Sequence, residues 1–249
     1  MKAIGVIPAR WGATRFEGKV IANLLGKPVI QHVWENAKKA RTLDDLVVAC
    51  DDERIFKVVE SFGGKAVYTS PNQPSGTDRL AEVVNPIDVS IAVNIQGDEP
   101  LIKPIMIDSL VLALEEEKDA QMATIIKRIE DESELTNSNV VKVVVDRNGY
   151  ALYFSRYAIP YNRTAETDAR KRPVYYKHIG LYAFTKDFLF TFRNLPHSAL
   201  ENAEKLEQLR ALEYGYKIKT VETKFDTIGV DRPEDIKRAE EALLRERDR

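Results

Sequence analysis

The chain has 249 residues, of which 44% are hydrophobic and 31% are charged, the balance of an ordinary globular protein. Its 37 basic and 39 acidic residues give a formal net charge of −2, which argues against a general nucleic-acid-binding surface. The single cysteine excludes an internal disulfide framework. No stretch approaches the roughly 20 apolar residues of a membrane span, and the first residues lack a signal-peptide core, so we expect a cytoplasmic protein that is not inserted in a membrane.

The first 120 residues alternate between strand-like and helix-like patterns. Apolar runs predict strands at 3–9, 45–50, 65–69 and 89–96, and 3.6-residue periodicity predicts helices at 28–40, 52–62, 78–84 and 104–117. Strands and helices that alternate at these lengths form parallel sheets with right-handed crossovers. We therefore predict an α/β fold with a mostly parallel, doubly wound, Rossmann-like sheet, because its continuous apolar strands need cover on both faces.

The pattern changes between residues 121 and 185. Four β-like runs, at 121–128, 140–146, 151–155 and 175–184, follow one another with little helix between them. They predict a smaller antiparallel subregion inserted in a single domain that spans residues 1–249. The polar segment 162–172 predicts an exposed mobile loop. Helices are predicted again at 205–214 and 233–247, on either side of a strand at 217–222.

The loop after the first strand carries three cations within ten residues, Arg10, Arg15 and Lys19. Ligands of open α/β sheets bind at the carboxyl ends of strands, so these cations predict a polyanion site with a triphosphate as the ligand. The loop is not a Walker A motif, because five residues separate its glycines and Val20 stands where a magnesium-binding Ser or Thr is needed. A solvated loop with incidental charges is the alternative interpretation.

Two acids that are distant in sequence are candidates for a magnesium site. Asp98 follows a buried strand directly, and Asp231 precedes the last predicted helix. Carboxylate oxygens suit Mg²⁺, which often takes one or two carboxylates together with substrate phosphates. A simple turn at Asp98, or helix capping by Asp231 with Glu234, would explain the same residues without a metal. The segment 75–79 could similarly offer donors to an anion or a base, or only cap a helix.

Taken together, these segments resemble the 3-deoxy-D-manno-octulosonate (Kdo) cytidylyltransferase family, also called CMP-Kdo synthetases. The resemblance extends over nearly the whole chain, and the order and spacing of its motifs make it specific. It includes IPAR at 7–10, TRF at 14–16, SGTDR at 75–79, VNIQGDEP at 93–100, YALYFSR at 150–156, KHIG at 177–180, KLEQLR at 205–210 and VD at 230–231.

The resemblance implies a nucleotidyltransferase fold, a homodimer and the reaction CTP + Kdo → CMP-Kdo + diphosphate, which serves lipopolysaccharide biosynthesis and uses Mg²⁺. It implies that the 121–185 subregion contributes sugar binding and dimer contacts. The expected metal ligands are Asp98 and Asp231, and the expected catalytic residues are Lys19, Arg10 and Asp98. The expected nucleotide site consists of Pro8, Ala9, Arg10, Arg15, Lys19, Ser75, Arg79 and Gln96. The expected sugar-acid site consists of Arg156, His178, Tyr182, Glu207 and Gln208.

The chain departs from the family pattern in its first loop. Ala13 replaces the usual Ser, and Glu17 and Val20 replace two prolines. Glu17 should repel a triphosphate unless it points away or pairs with Arg15.

Three other activities stay open: a cytidylyltransferase for a related sugar acid such as 8-amino-Kdo or a sialic acid, a CTP-binding regulator without catalysis, and a glycosyltransferase.

Overall fold

A central mixed sheet organises the fold. The computed structural model describes residues 2–12, 14–163 and 173–247, and most of the predicted loop 162–172 lies outside them. A short hairpin pairs β2 (Asn23–Leu24) with β3 (Lys27–Pro28). The strands of the main sheet are β1 (Ala3–Ala9), β4 (Asp45–Cys50), β5 (Ala66–Tyr68), β6 (Ile91–Asn94), β7 (Met122–Arg128), β8 (Lys142–Val145), β9 (Ala151–Ser155), β10 (Tyr176–Thr185) and β11 (Ile218–Thr223).

The strand order along the main path of the sheet is β11-β7-β10-β6-β1-β4-β5. β1 runs parallel to β4 and β6, β4 parallel to β5, and β11 parallel to β7. β10 is antiparallel to β6 and β7, and β8 and β9 branch from it as an antiparallel extension. The predicted α/β class, with a mostly parallel sheet and a smaller antiparallel part, is confirmed. β7 and β10 lie inside the main sheet, so it is β8 and β9 that branch from it.

Helices cover both faces of the sheet. Successive residues of a strand point to opposite sides of the sheet, so the side chains of β1 pack on both faces. On one face, Ile7 of β1 belongs to a buried cluster with residues of α1, α2 and α4, and on the other face Ile4 belongs to a cluster with residues of α3, α6 and α8. No helix in the described ranges is long and apolar enough to cross a bilayer. The helices are α1 (Val29–Ala37), α2 (Glu53–Ser61), α3 (Gly76–Val84), α4 (Pro104–Glu116), α5 (Glu132–Thr136), α6 (Lys186–Asn194), α7 (Ala199–Glu204), α8 (Gln208–Glu213) and α9 (Pro233–Arg247).

The prediction of a single helix over residues 205–214 is wrong. α7 begins earlier, at a capping box formed by Ser198 and Glu201, and ends at Lys205, whose φ of 54° is left-handed. A left-handed residue cannot continue a right-handed helix, so α8 starts afresh at Gln208. Glu207 therefore lies at the junction between two helices and not inside one. α5 and α6 were not predicted from the sequence.

Candidate active site

A cleft lies at the carboxyl ends of β1 and β6. These strands are parallel neighbours, so the loops that follow them meet at one edge of the sheet. Gly97 permits this approach, because a Cβ there would lie 2.8 Å from the carbonyl oxygen of Pro8. Seven residues of the predicted nucleotide site line the cleft: Pro8, Ala9, Arg10, Lys19, Ser75, Arg79 and Gln96.

The cleft has six further lining residues. Asp98 was predicted as a metal ligand and catalytic residue, and the five that were not predicted are Val20, Gln73, Pro74, Gly76 and Gly97. Gly76 and Gly97 fall inside motifs that the sequence had marked, so their neighbourhood was the available signal. Gln73 and Pro74 lie just before α3 and carry no chemical pattern of their own. Only the meeting of loops at the sheet edge reveals them.

The two candidate metal-binding acids converge beside this cleft. The ammonium of Lys19 hydrogen bonds to Asp98 Oδ2 and also lies 3.3 Å from Asp231 Oδ1. The guanidinium of Arg15 lies 2.7 Å from Asp231 Oδ2. The backbone amide of Val230 donates to the carbonyl of Asp98 at 2.8 Å, which fixes the two acidic segments side by side. Arg15 thus reaches the site through Asp231 and not as part of the cleft wall.

Helix capping does not explain Asp231. The backbone amides of Asp231 and Arg232 donate to Asp235 Oδ2 at 3.0 and 2.9 Å, so Asp235 takes the amides at the entry to α9. Glu234 lies 3.8 Å from Arg232 instead of forming a box with Asp231. The Asp231 carboxylate is directed at Lys19 and Arg15.

The arrangement fits a magnesium ion that shares its coordination with a substrate. Asp98 and Asp231 supply hard oxygen donors within reach of one ammonium group. Across the described ranges, no three His, Cys, Asp or Glu side chains form a cluster that could hold a metal alone. Mg²⁺ commonly completes such a site with water and phosphate oxygens. Beside Asp98, burial and the charge of that neighbour raise the pKa of Glu99 to about 7.

The predicted nucleotide residues at the start of α3 also stabilise the fold. Ser75 Oγ accepts the backbone amide of Asp78 at 3.1 Å, so Ser75 is a helix N-cap as well as a wall of the cleft. Arg79 is buried, lies 2.9 Å from Asp51 and hydrogen bonds to Thr69. Its position is therefore set by two strand ends before any ligand binds.

Glu17 does not pair with Arg15. The indole of Trp11 donates a hydrogen bond to Glu17, and the guanidinium of Arg54 lies 3.5 Å from the centre of the same ring. Gly18, at φ 67°, lies under the ring, and a Cβ there would be 2.9 Å from it. The charge that should repel a triphosphate is thus held against Trp11.

β10 carries two residues of the predicted sugar-acid site, His178 and Tyr182. Thr124 Oγ1 lies 2.9 Å from both His178 Nε2 and the carbonyl of Leu181. The hydroxyl proton goes to the carbonyl, so the ring donates from Nε2 and Nδ1 is left as an acceptor. Burial lowers the pKa of His178 to about 3, so this histidine is neutral. Burial and the charge of Glu207 raise the pKa of Tyr182 well above its ordinary value.

The other predicted sugar-acid residues lie at the α7–α8 junction and after β9. Glu207 accepts a 2.6 Å hydrogen bond from Thr77, and burial raises its pKa. Gln208 is 2% exposed, and its Nε2 has no hydrogen-bond partner among the described residues. Arg156 lies after β9, and its guanidinium donates to the backbone carbonyls of Glu204, Ser138 and Lys205. The fold itself therefore uses much of the hydrogen-bonding capacity of Arg156.

Comparison with known proteins defines the class. A family model described as cytidylyltransferase matches residues 4–219. The 3-deoxy-manno-octulosonate cytidylyltransferase of Thermodesulfovibrio yellowstonii is 51% identical and covers 98% of both chains, and that of Solibacter usitatus is 50% identical and covers 95% and 92%. A solved CMP:2-keto-3-deoxy-manno-octonic acid synthetase complexed with CTP superposes with a TM-score of 0.92, at 40% identity over 99% and 100% of the two chains.

The fold and these matches define a nucleotidyltransferase of the cytidylyltransferase class. Within that class, the chain belongs to the 3-deoxy-manno-octulosonate cytidylyltransferase family. The resemblance found in its sequence motifs is confirmed.

Proposed function

We propose that this enzyme transfers the CMP group of CTP to Kdo and releases diphosphate, which activates the sugar acid for lipopolysaccharide synthesis. The observation that carries the proposal is the meeting of Lys19, Asp98 and Asp231 at the edge of the cleft. This arrangement combines an ammonium group that can bind phosphates with two carboxylates that can bind a divalent cation. The family's solved structure holds CTP, which supports the same choice of nucleotide.

In the proposed reaction, the oxygen of the C2 hydroxyl of Kdo forms a bond to the α-phosphorus of CTP. The bond from that phosphorus to the β-phosphate oxygen breaks, diphosphate leaves, and the hydroxyl proton passes to solvent. Arg10, Arg15 and Lys19 bind the phosphate oxygens and stabilise the negative charge of the leaving group. Asp98 and Asp231 would hold Mg²⁺, which supplies further positive charge against the phosphates. The rate gain comes from position and charge, because the carboxylates already hold Lys19 and Arg15 at the cleft.

The proposed sugar side recognises hydroxyl groups. The neutral ring of His178 can accept a hydrogen bond at Nδ1, because Nε2 already donates to Thr124. Glu207 and Gln208 add an acceptor and a donor, and the ring of Tyr182 packs 5.3 Å from His178. Recognition of the negative charge of the Kdo carboxylate is then left to cations such as Arg156. This role of Arg156 stays a prediction.

The decisive experiment is an assay of diphosphate release by the purified protein with Mg²⁺, CTP and Kdo. We expect turnover with CTP and Kdo, little with UTP or ATP, and loss of turnover when EDTA removes the metal. Parallel reactions with 8-amino-Kdo and a sialic acid test the related substrates. CTP binding without diphosphate release from any sugar acid would instead establish a regulator.

The magnesium cofactor, the homodimer and the cytoplasmic location also stay predictions. The first is tested by the EDTA arm of the assay and by adding back Mg²⁺. Light scattering on the purified protein gives the mass, which is 28.3 kDa for one chain and twice that for a homodimer.

A further inference from the structure

Three consecutive residues at the start of α3 reach three different parts of the molecule. Thr77 bonds to Glu207, the neighbouring Asp78 lies 3.2 Å from Arg193 on α6, and Arg79 lies 2.9 Å from Asp51 after β4. Residues two apart on a helix point in nearly opposite directions, about 200° around the axis. Arg79 can therefore line the nucleotide cleft while Thr77 faces the predicted sugar-acid site.

Thr77 has one hydroxyl proton, and it goes to Glu207. Thr77 is 3% exposed, and its Oγ1 lies 2.6 Å from Glu207 Oε1. The amide Nδ2 of Asn94, at 3.4 Å, is placed to donate to the same oxygen. Since Asn94 has only donor hydrogens to offer from Nδ2, the direction of the Thr77 bond toward the carboxylate is fixed.

The Glu207 carboxylate depends on this bond for its orientation. Within the part of the chain that the structure describes, Thr77 is the side chain that donates a hydrogen bond to Glu207. Arg210, the cation on the adjoining helix, instead lies 3.0 Å from Glu201. Glu207 is partly buried, so removal of this donor leaves its carboxylate without the hydrogen bond that orients it.

Thr77 also lies against the nucleotide cleft. Its neighbour Gly76 lines the cleft, and a Cβ on Gly76 would lie 3.5 Å from Pro8 and 3.7 Å from Asn94 Nδ2. Asn94 itself is 2% exposed and pairs with Tyr182 across β6 and β10. One short path of contacts therefore runs from the cleft wall through Thr77 to Glu207.

We infer that Thr77 is a positioning residue that holds Glu207 in register with the nucleotide cleft, so that a bound sugar acid is aligned with the nucleotide. The inference rests on the proposed function and deepens it, because the sequence assigned no role to Thr77. A residue of this kind affects the sugar acid far more than the nucleotide.

The test compares Thr77→Val, which removes the hydroxyl at similar size, with Thr77→Ser, which retains it. We expect Thr77→Val to raise KM for Kdo about 10- to 100-fold, the usual effect of losing a hydrogen bond to a charged group. KM for CTP and the Kd for CTP measured by calorimetry should change less than about twofold. Thr77→Ser should return KM for Kdo to near the wild-type value.

Arg193→Gln is the matched control, because it removes the ion pair between α3 and α6 and leaves Glu207 untouched. It should leave KM for Kdo unchanged. Thr77→Ala replaces Thr77→Val if the valine variant does not fold, and we again expect a raised KM for Kdo with little change in KM for CTP. Equal rises in both KM values, or failure of serine to rescue, would overturn the inference. A wild-type enzyme that releases no diphosphate from CTP and Kdo would instead overturn the proposed function.

Discussion

The nucleotide side and the predicted sugar-acid side of the site are built differently. On the nucleotide side, charged residues in partly exposed loops meet where parallel strands end, as Lys19, Asp98 and Asp231 do. On the sugar-acid side, two residues lie on the antiparallel strand β10, where His178 is partly buried and Tyr182 is buried. We expect the first side to stabilise charge and the second to select a shape through hydrogen bonds. Loss of a charge should therefore lower kcat, whereas loss of a buried group should affect KM or stability.

Asp98→Asn should give the largest effect. The amide keeps the size of the side chain but removes the charge that pairs with Lys19 and that would hold Mg²⁺. We expect kcat to fall about 100- to 1000-fold, the usual result of removing one group that stabilises transition-state charge. Diphosphate release under saturating CTP and Kdo measures kcat.

The melting temperature and circular dichroism of Asp98→Asn should stay close to wild type, since the loop is held by backbone hydrogen bonds such as that from Val230. Near-normal turnover in this variant would remove Asp98 from the reaction. It would also leave the contrast between the two sides without its strongest support.

Asp231→Asn and Asp235→Ala separate ligand binding from helix capping. Asp231 faces Lys19 and Arg15, so its amide variant should lose about 100-fold in kcat with little change in stability. Asp235 accepts two amides at the entry to α9, so its alanine variant should lose about 1 kcal/mol of unfolding free energy. Urea unfolding and steady-state kinetics measure both. Equal kinetic losses in the two variants would contradict the assignment.

The two sides also differ in how far the sequence predicted them. Arg10 and Lys19 lie in the loop after β1, and Asp98 lies in the loop after β6, so strand periodicity and the rule for parallel sheets were enough to bring them together. Glu207 had no such signal, because the left-handed Lys205 that ends α7 is invisible in a helical pattern. The partners of these residues, such as Asp235, depend on tertiary contacts and could not be predicted.

His178 should make the protein sensitive to acid. Its pKa falls from the ordinary 6.5 to about 3, so the unfolded chain binds a proton between these values and the folded protein does not. Stability is therefore unaffected by this group above pH 6.5 and falls as pH drops towards 3, by up to about 1.4 kcal/mol per pH unit. His178→Gln should show a shallower decrease in unfolding free energy between pH 6 and pH 4.

His197→Gln is the control for this pH experiment. The His197 side chain is 73% exposed, so the unfolding free energy of His197→Gln should decrease with falling pH as steeply as that of the wild type. The same steepness in His178→Gln as in wild type would show that the histidine of β10 takes up a proton in the folded protein. In that case it could also attract the Kdo carboxylate, and the sugar-acid side would use charge after all.

Glu17 should give the smallest effect and tests whether a carboxylate is tolerated beside the phosphates. The hydrogen bond from Trp11 holds the Glu17 carboxylate against the indole, and the guanidinium of Arg54 lies over the same ring. Glu17→Ala removes that bond and should raise KM for CTP about two- to fivefold by loosening the loop. Glu17→Gln keeps an acceptor oxygen and should stay near wild type. If either variant lowers KM for CTP, repulsion of the triphosphate outweighs the order that Glu17 gives the loop.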